Sequence, residues 1–211
     1  MSFIAIVLTG GDPVPASLRH QLPRADLVIA ADSGYHLAPF LGVDVDLVIG
    51  DFDSIDPELD LSRSEVVRHP PDKDHSDLEL AFAAAAGRNA TEVVVVGGGG
   101  GRLDHLLANA AVIASHDRAT VTWLTGKESL HVVTGTRTIT GLAGDLVTLL
   151  ALGGEAGGVT TSGLRYPLDR ETIPFGSARG LSNVMLATEA TVSVDSGVVI
   201  AIHIHSPDTV F

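Results

Sequence analysis

The sequence contains no cysteine, which excludes disulfides, thiolate metal sites and thiol nucleophiles and leaves the redox compartment unreadable. Basic residues are scarce: 13 lysines and arginines face 26 aspartates and glutamates, a formal net charge of −13. So acidic a chain offers no electrostatic footprint for nucleic acid or an anionic membrane surface. An anionic ligand therefore needs a local basic site or a metal. Long hydrophobic runs are missing too. The apolar stretch from Phe3 to Leu8 is too short to span a membrane and has no basic leader before it, so the expectation is a soluble, cytoplasmic protein without a membrane partner. The common nucleotide cradles are also absent: Gly126-Lys127 is followed by Glu128, not Ser or Thr, and Gly97 to Gly101 runs into Arg102 and Leu103 where a dinucleotide fingerprint needs glycine.

What is present is a rhythm that changes along the chain. Up to about residue 128, aliphatic runs (FIAIVL, DLVIAAD, DLVIGD, EVVRHP, EVVVVGG, TVTWLT) alternate with segments of helical period. Near-continuous Val/Ile/Leu strands separated by helices predict a parallel sheet covered on both faces. Helices are expected over Asp77 to Gly87 and Leu103 to His116, the second with a stripe of Leu103, Leu106, Leu107, Ala110 and Ile113. From about Ser129 onward strand follows strand through Gly-rich turns. The fold expected is an α/β protein: a parallel-sheet domain, residues 1–128, then a small antiparallel β domain, residues 129–211.

In an open α/β sheet, ligands gather beyond the carboxyl ends of the strands. Those positions are unusually acidic here: Asp32 after the second run, Asp51 and Asp53 after the third, HPPDKDHSD after the fourth, GGGGGRLDH after the fifth. Two carboxylates one residue apart repel unless something positive sits between them, and no lysine or arginine lies nearby in the chain. Hard oxygen ligands of this kind suit Mg²⁺. Each piece also has a plainer explanation. D-x-D is common turn chemistry, Ser76 and Glu79 fit a capping box, Asp77 complements a helix dipole, and Arg102 beside Asp104 fits a surface ion pair. The glycine run is either a plain turn or an amide cradle for phosphate.

Taken together, ADSG, DLVIGDFDSI, KDHSDLELA, GGRLDHLLAN, GLRYP and GLSN resemble the thiamine pyrophosphokinase family, in that family's order and through nearly the whole chain. The resemblance implies a parallel α/β catalytic domain joined to a β-sandwich, a homodimer with thiamine where the subunits meet, and Mg²⁺-dependent pyrophosphoryl transfer from ATP to thiamine. By position it assigns Asp51, Asp53, Asp77 and Asp104 to the metal and phosphate centre. It also puts Asp32, Lys73 and Arg102 on the ATP side, and Ser182 and Asn183 against thiamine, with Asp77 as first choice for proton acceptor. Val184 departs from the family pattern, where an acidic residue often stands, and leaves the thiamine side less defined. Two rivals stay open: a D-x-D phosphohydrolase with Asp51 as nucleophile, although such motifs usually follow the first strand, and a non-catalytic nucleotide or thiamine sensor.

Aromatics are only 4% of the chain, so few residues can stack on a ligand; Trp123 and Tyr166 are the candidates, each equally explained as core or interface. His203 and His205 alternate on the last strand and share a face, which permits metal binding. Without a third ligand in view, packing is the favoured explanation.

Overall fold

The computed structural model describes residues 2–53, 60–116 and 119–205, so Ser54 and Ile55 of the DFDSI segment lie outside the described residues. The chain divides into two compact units, residues 1–112 with 123–126, and residues 113–122 with 127–211.

In the first unit, β1 (Ile4–Thr9), β2 (Leu27–Ala31), β3 (Leu47–Gly50), β4 (Glu65–Arg68) and β5 (Glu92–Gly97) form a sheet in the order β5-β1-β2-β3-β4. Every pairing among them is parallel. β1, β2, β3 and β5 are buried almost throughout, as strands sandwiched between layers require. β4 differs: it closes the edge, its residues are largely exposed, and charged Glu65 and Arg68 at its ends protect that edge from further pairing. The short helix α1 (Ala38–Leu41) shares a core cluster with the strands through Ala38 and Leu41, and the longer α2 (Asp77–Gly87) packs on the sheet. α2 opens on a full capping box, with the Ser76 amide donating to Glu79 Oε2 at 2.7 Å and the Glu79 amide donating to Ser76 Oγ at 3.3 Å.

α3 (Leu103–Ala114) carries the expected stripe, but not its burial. Leu103 and Leu107 are 67% and 62% exposed, whereas Ile113 is buried. Helical periodicity says which residues share a face, not what covers it.

β6 (Thr120–Leu124) is divided between the units, Trp123 and Leu124 counting with the first. The second unit is a sandwich. One sheet runs β12 (Asn183–Val184), β9 (Leu146–Ala151), β14 (Val199–Ile204), β7 (Glu128–Val133); the other runs β11 (Glu171–Ile173), β10 (Ala156–Ser162), β13 (Glu189–Ser193), β8 (Thr136–Thr140). All pairings between these strands are antiparallel. Inward residues of both sheets, among them Val133, Leu149 and Val199 from one and Ile139, Val159 and Val192 from the other, make one continuous core.

Candidate active site

Parallel register is what assembles the acidic centre. Ala31 of β2 pairs with Ile49 of β3, so the residues that follow, Asp32 and Gly50, emerge side by side. Glycine is needed there: with φ of 154°, Gly50 would carry a Cβ only 3.1 Å from that of Asp32. The carboxylates of Asp32, Asp51 and Asp53 then converge, one oxygen of each lying within 4.8 Å of the others. Between the two D-x-D aspartates, Phe52 adopts φ of 67° and turns its ring under the Arg68 guanidinium, 4.1 Å from Cζ to ring centroid. The Asp53 amide donates to Asp51 Oδ1 at 3.2 Å. Turn chemistry and convergence therefore coexist, because the turn is what aims both carboxylates the same way.

Positive charge reaches this centre from twenty residues downstream. Lys73 Nζ lies 2.9 Å from Asp77 Oδ1 and 3.7 Å from Asp51 Oδ2. Burial works against the ammonium, but the hydrogen bond and charge of Asp77, joined by Asp51, outweigh it and hold the Lys73 pKa above its ordinary value. The local sequence around Asp51 lacks a cation; the crossover from β4 into α2 supplies one.

A cavity of about 490 Å³ opens over these strand ends, lined by Asp32, Lys73, Asp77, Arg102 and the glycine segment after β5. Gly97, Gly98, Gly100 and Gly101 have φ between 60° and 90°, a region closed to most side chains. The segment is braced from beneath. Trp123 Nε1 donates to the Gly97 carbonyl at 2.6 Å and Asn109 Nδ2 to the Gly98 carbonyl at 3.3 Å. Trp123 is thus buried and committed to the backbone, not free to stack on a ligand, whereas Tyr166 is exposed.

The remaining expected residues stand differently. Arg102 Nη2 pairs with Asp104 Oδ2 at 2.6 Å at the exposed rim, the side chains 72% and 63% accessible. That hydrogen bond draws the Asp104 pKa down to about 2. Asp77 and Asp104 do not belong to the converging carboxylate trio; Asp32, expected on the ATP side, does. The signal for Asp32 was its place directly after the second aliphatic run. In the second unit, buried Asn183 spends its side chain on the backbone: Oδ1 accepts from the Tyr166 and Val184 amides at 3.0 and 2.9 Å, and Nδ2 donates to the Tyr166 carbonyl at 2.7 Å. Ser182, exposed and at φ of 54°, donates its amide to Thr148 Oγ1 at 3.0 Å.

Residues 18–123 match the thiamin pyrophosphokinase catalytic domain and residues 133–199 the thiamin pyrophosphokinase vitamin B1 binding domain. Thiamine pyrophosphokinase 1 of Oryza sativa subsp. japonica is 26% identical over 169 residues, 73% of this chain, and the chain spans 64% of that protein's length. Among solved structures, thiamine pyrophosphokinase from Bacillus subtilis superposes with a TM-score of 0.82 at 23% identity, covering 96% of this chain and 99% of that one. Thiamin pyrophosphokinase from Geobacillus thermodenitrificans gives 0.80 at 25% identity, covering 99% and 100%. With both characteristic domains matched in order, the chain belongs to the thiamin pyrophosphokinase family.

Proposed function

We propose that the protein transfers a pyrophosphoryl group from ATP to the hydroxyl of thiamine, releasing AMP and thiamine pyrophosphate, with Mg²⁺ held at the acidic centre. The observation that carries this reading is the convergence of Asp32, Asp51 and Asp53 beside a cavity that also receives Lys73 and Arg102. Three carboxylates offering oxygen atoms within 4.8 Å are a donor set suited to a small hard cation. Bound there, Mg²⁺ supplies charge neutralisation for the polyphosphate and electrophilic pull on the phosphorus under attack.

The chain's own residues do the rest. Lys73, tethered by Asp77 and Asp51, offers a fixed ammonium to phosphate oxygens. Arg102 waits at the glycine segment, held at the rim by Asp104 until a phosphate offers a better bidentate partner. Asp77, the first choice for proton acceptor from sequence, has Oδ1 engaged by Lys73 and serves as its positioner. Asp104 does the same for Arg102. On this reading the phosphate chemistry belongs to residues 1–128 and thiamine recognition to residues 129–211, where Ser182 is the accessible polar group and Asn183 shapes the loop beneath it. The exposed Leu103 and Leu107 on α3 support a homodimer, since a second copy would cover them. No described helix is long and apolar enough to cross a membrane; the cytoplasmic location rests on the sequence reading.

Incubation with ATP, Mg²⁺ and thiamine, followed by product chromatography, tests the reading. AMP and thiamine pyrophosphate in equal amounts are expected. Orthophosphate without thiamine pyrophosphate would point to a phosphohydrolase, and no turnover to a sensor.

A further inference from the structure

His203 near the end of β14 and His205 just past it bring their rings together, centroids 4.3 Å apart, and the fold adds a third donor from 58 residues before His203. Asp145 lies in the turn just before β9, the strand that pairs with β14, and Val147 of β9 is the register partner of His203. Asp145 Oδ2 comes within 2.8 Å of His203 Nε2, and one donor atom each from Asp145, His203 and His205 lies within 4.8 Å of the others. Asp145 is 0% exposed and His203 1%.

We propose that Asp145, His203 and His205 form a second metal site, one that takes zinc or a neighbouring first-row divalent cation and staples the end of the sandwich. Two imidazoles and a carboxylate are the donor set of three-ligand zinc sites, and they differ in kind from the all-carboxylate trio of the first unit. The surroundings are built around the donors. The Leu142 amide donates to Asp145 Oδ2 at 2.9 Å, fixing the carboxylate, and Ser129 Oγ lies 3.3 Å from His205 Nε2. Gly141 closes the site: a Cβ there would stand 2.6 Å from His203 Nε2 and 2.7 Å from Asp145 Oδ2. Its backbone lies outside the left-handed region, so glycine at 141 answers to space around the donor atoms and not to turn geometry. In a chain without cysteine, a metal bridging β14 to the turn before β9 is a cross-link that disulfides cannot provide.

The test is zinc titration of protein first dialysed against a chelator, read by calorimetry and by thermal midpoint. One zinc per chain and a midpoint raised by several degrees are expected, with excess Mg²⁺ unable to replace it. His205→Gln, a change at a half-buried position, should weaken zinc at least about tenfold and abolish the rise. Asp53→Asn should keep both. A zinc response lost in Asp53→Asn and kept in His205→Gln would assign the ion to the acidic centre and overturn the proposal. So would a midpoint indifferent to zinc, which leaves an Asp145–His203 pair alone. Cobalt in place of zinc gives a readout independent of stability: visible absorption bands of a nitrogen-ligated ion, present in the parent protein and absent in His205→Gln. Bands unchanged by that substitution would equally overturn the proposal.

Discussion

The two units each bring carboxylates together, and they do so by opposite means. In the first, Asp32, Asp51 and Asp53 stand past the ends of parallel strands, where the sheet stops and a cavity begins. In the second, Asp145 is enclosed beside the sandwich core, with histidines as neighbours. A strand end is a place where the hydrogen-bond ladder no longer dictates side-chain direction, so it accommodates ligands and changing charge. An enclosed sandwich face has no such freedom, and its polar groups must satisfy one another. The contrast predicts that the first centre controls turnover and the second controls stability.

The sharpest break would come from Asp51→Asn or Asp53→Asn. Each keeps shape but removes a charged ligand, so kcat should fall by at least about a hundredfold while far-UV circular dichroism and the unfolding midpoint stay near the parent's. Near-normal activity in both across a Mg²⁺ titration would remove the acidic centre from the chemistry.

On the other side of the comparison stands His131 on β7. Burial, seconded by the charges of Arg137, His203 and His205, lowers its pKa to about 3. Between the ordinary 6.5 and about 3 the unfolded chain takes up a proton that the folded chain refuses, so stability is full above the upper value and falls as pH drops through this window. The loss approaches about 1.4 kcal/mol per pH unit there, and His131→Gln should flatten it in urea titrations. A slope unchanged by the substitution would remove His131 as its source.

Asn183→Ala is the next effect in size. It removes three part-buried hydrogen bonds, to the Tyr166 and Val184 amides and the Tyr166 carbonyl, each worth about 1 kcal/mol before water takes back a share. Denaturant unfolding should show this loss together with a raised KM for thiamine, whereas a KM effect at unchanged stability would make Asn183 a direct ligand. Smallest is Ser76→Ala, which removes one half of the α2 capping box for about 1 kcal/mol. Because α2 also carries Asp77, the partner of Lys73, the KM for ATP should rise slightly too; a change in stability alone would show the cap to be purely structural.

Much of this was legible in the chain. The alternation of aliphatic runs and helical segments located β1 to β6, and the span Asp77 to Gly87 is observed as a helix with those same ends, its start fixed by the reciprocal cap of Ser76 and Glu79. The strand-end argument pointed to Asp32, Asp51 and Asp53. It also put the cations Lys73 and Arg102 on the same rim, but not the pairing of Lys73 with both Asp51 and Asp77, which depends on the path of a crossover that no local pattern encodes. Trp123, open in the sequence between ligand stacking and core or interface, is core and braces the glycine segment, a role visible only when β6 is seen beside the end of β5.

By itself, the sequence determined what local physics can determine: which segments are strands and helices, where they end, and which acidic residues follow them, because periodicity, capping and glycine conformations act within a few residues. Tertiary structure alone decided which charges meet. It put Asp32 with Asp51 and Asp53, Lys73 between Asp51 and Asp77, and Asp145 against His203, because the distance between two side chains depends on strand order and register, and these are fixed by how whole faces bury one another.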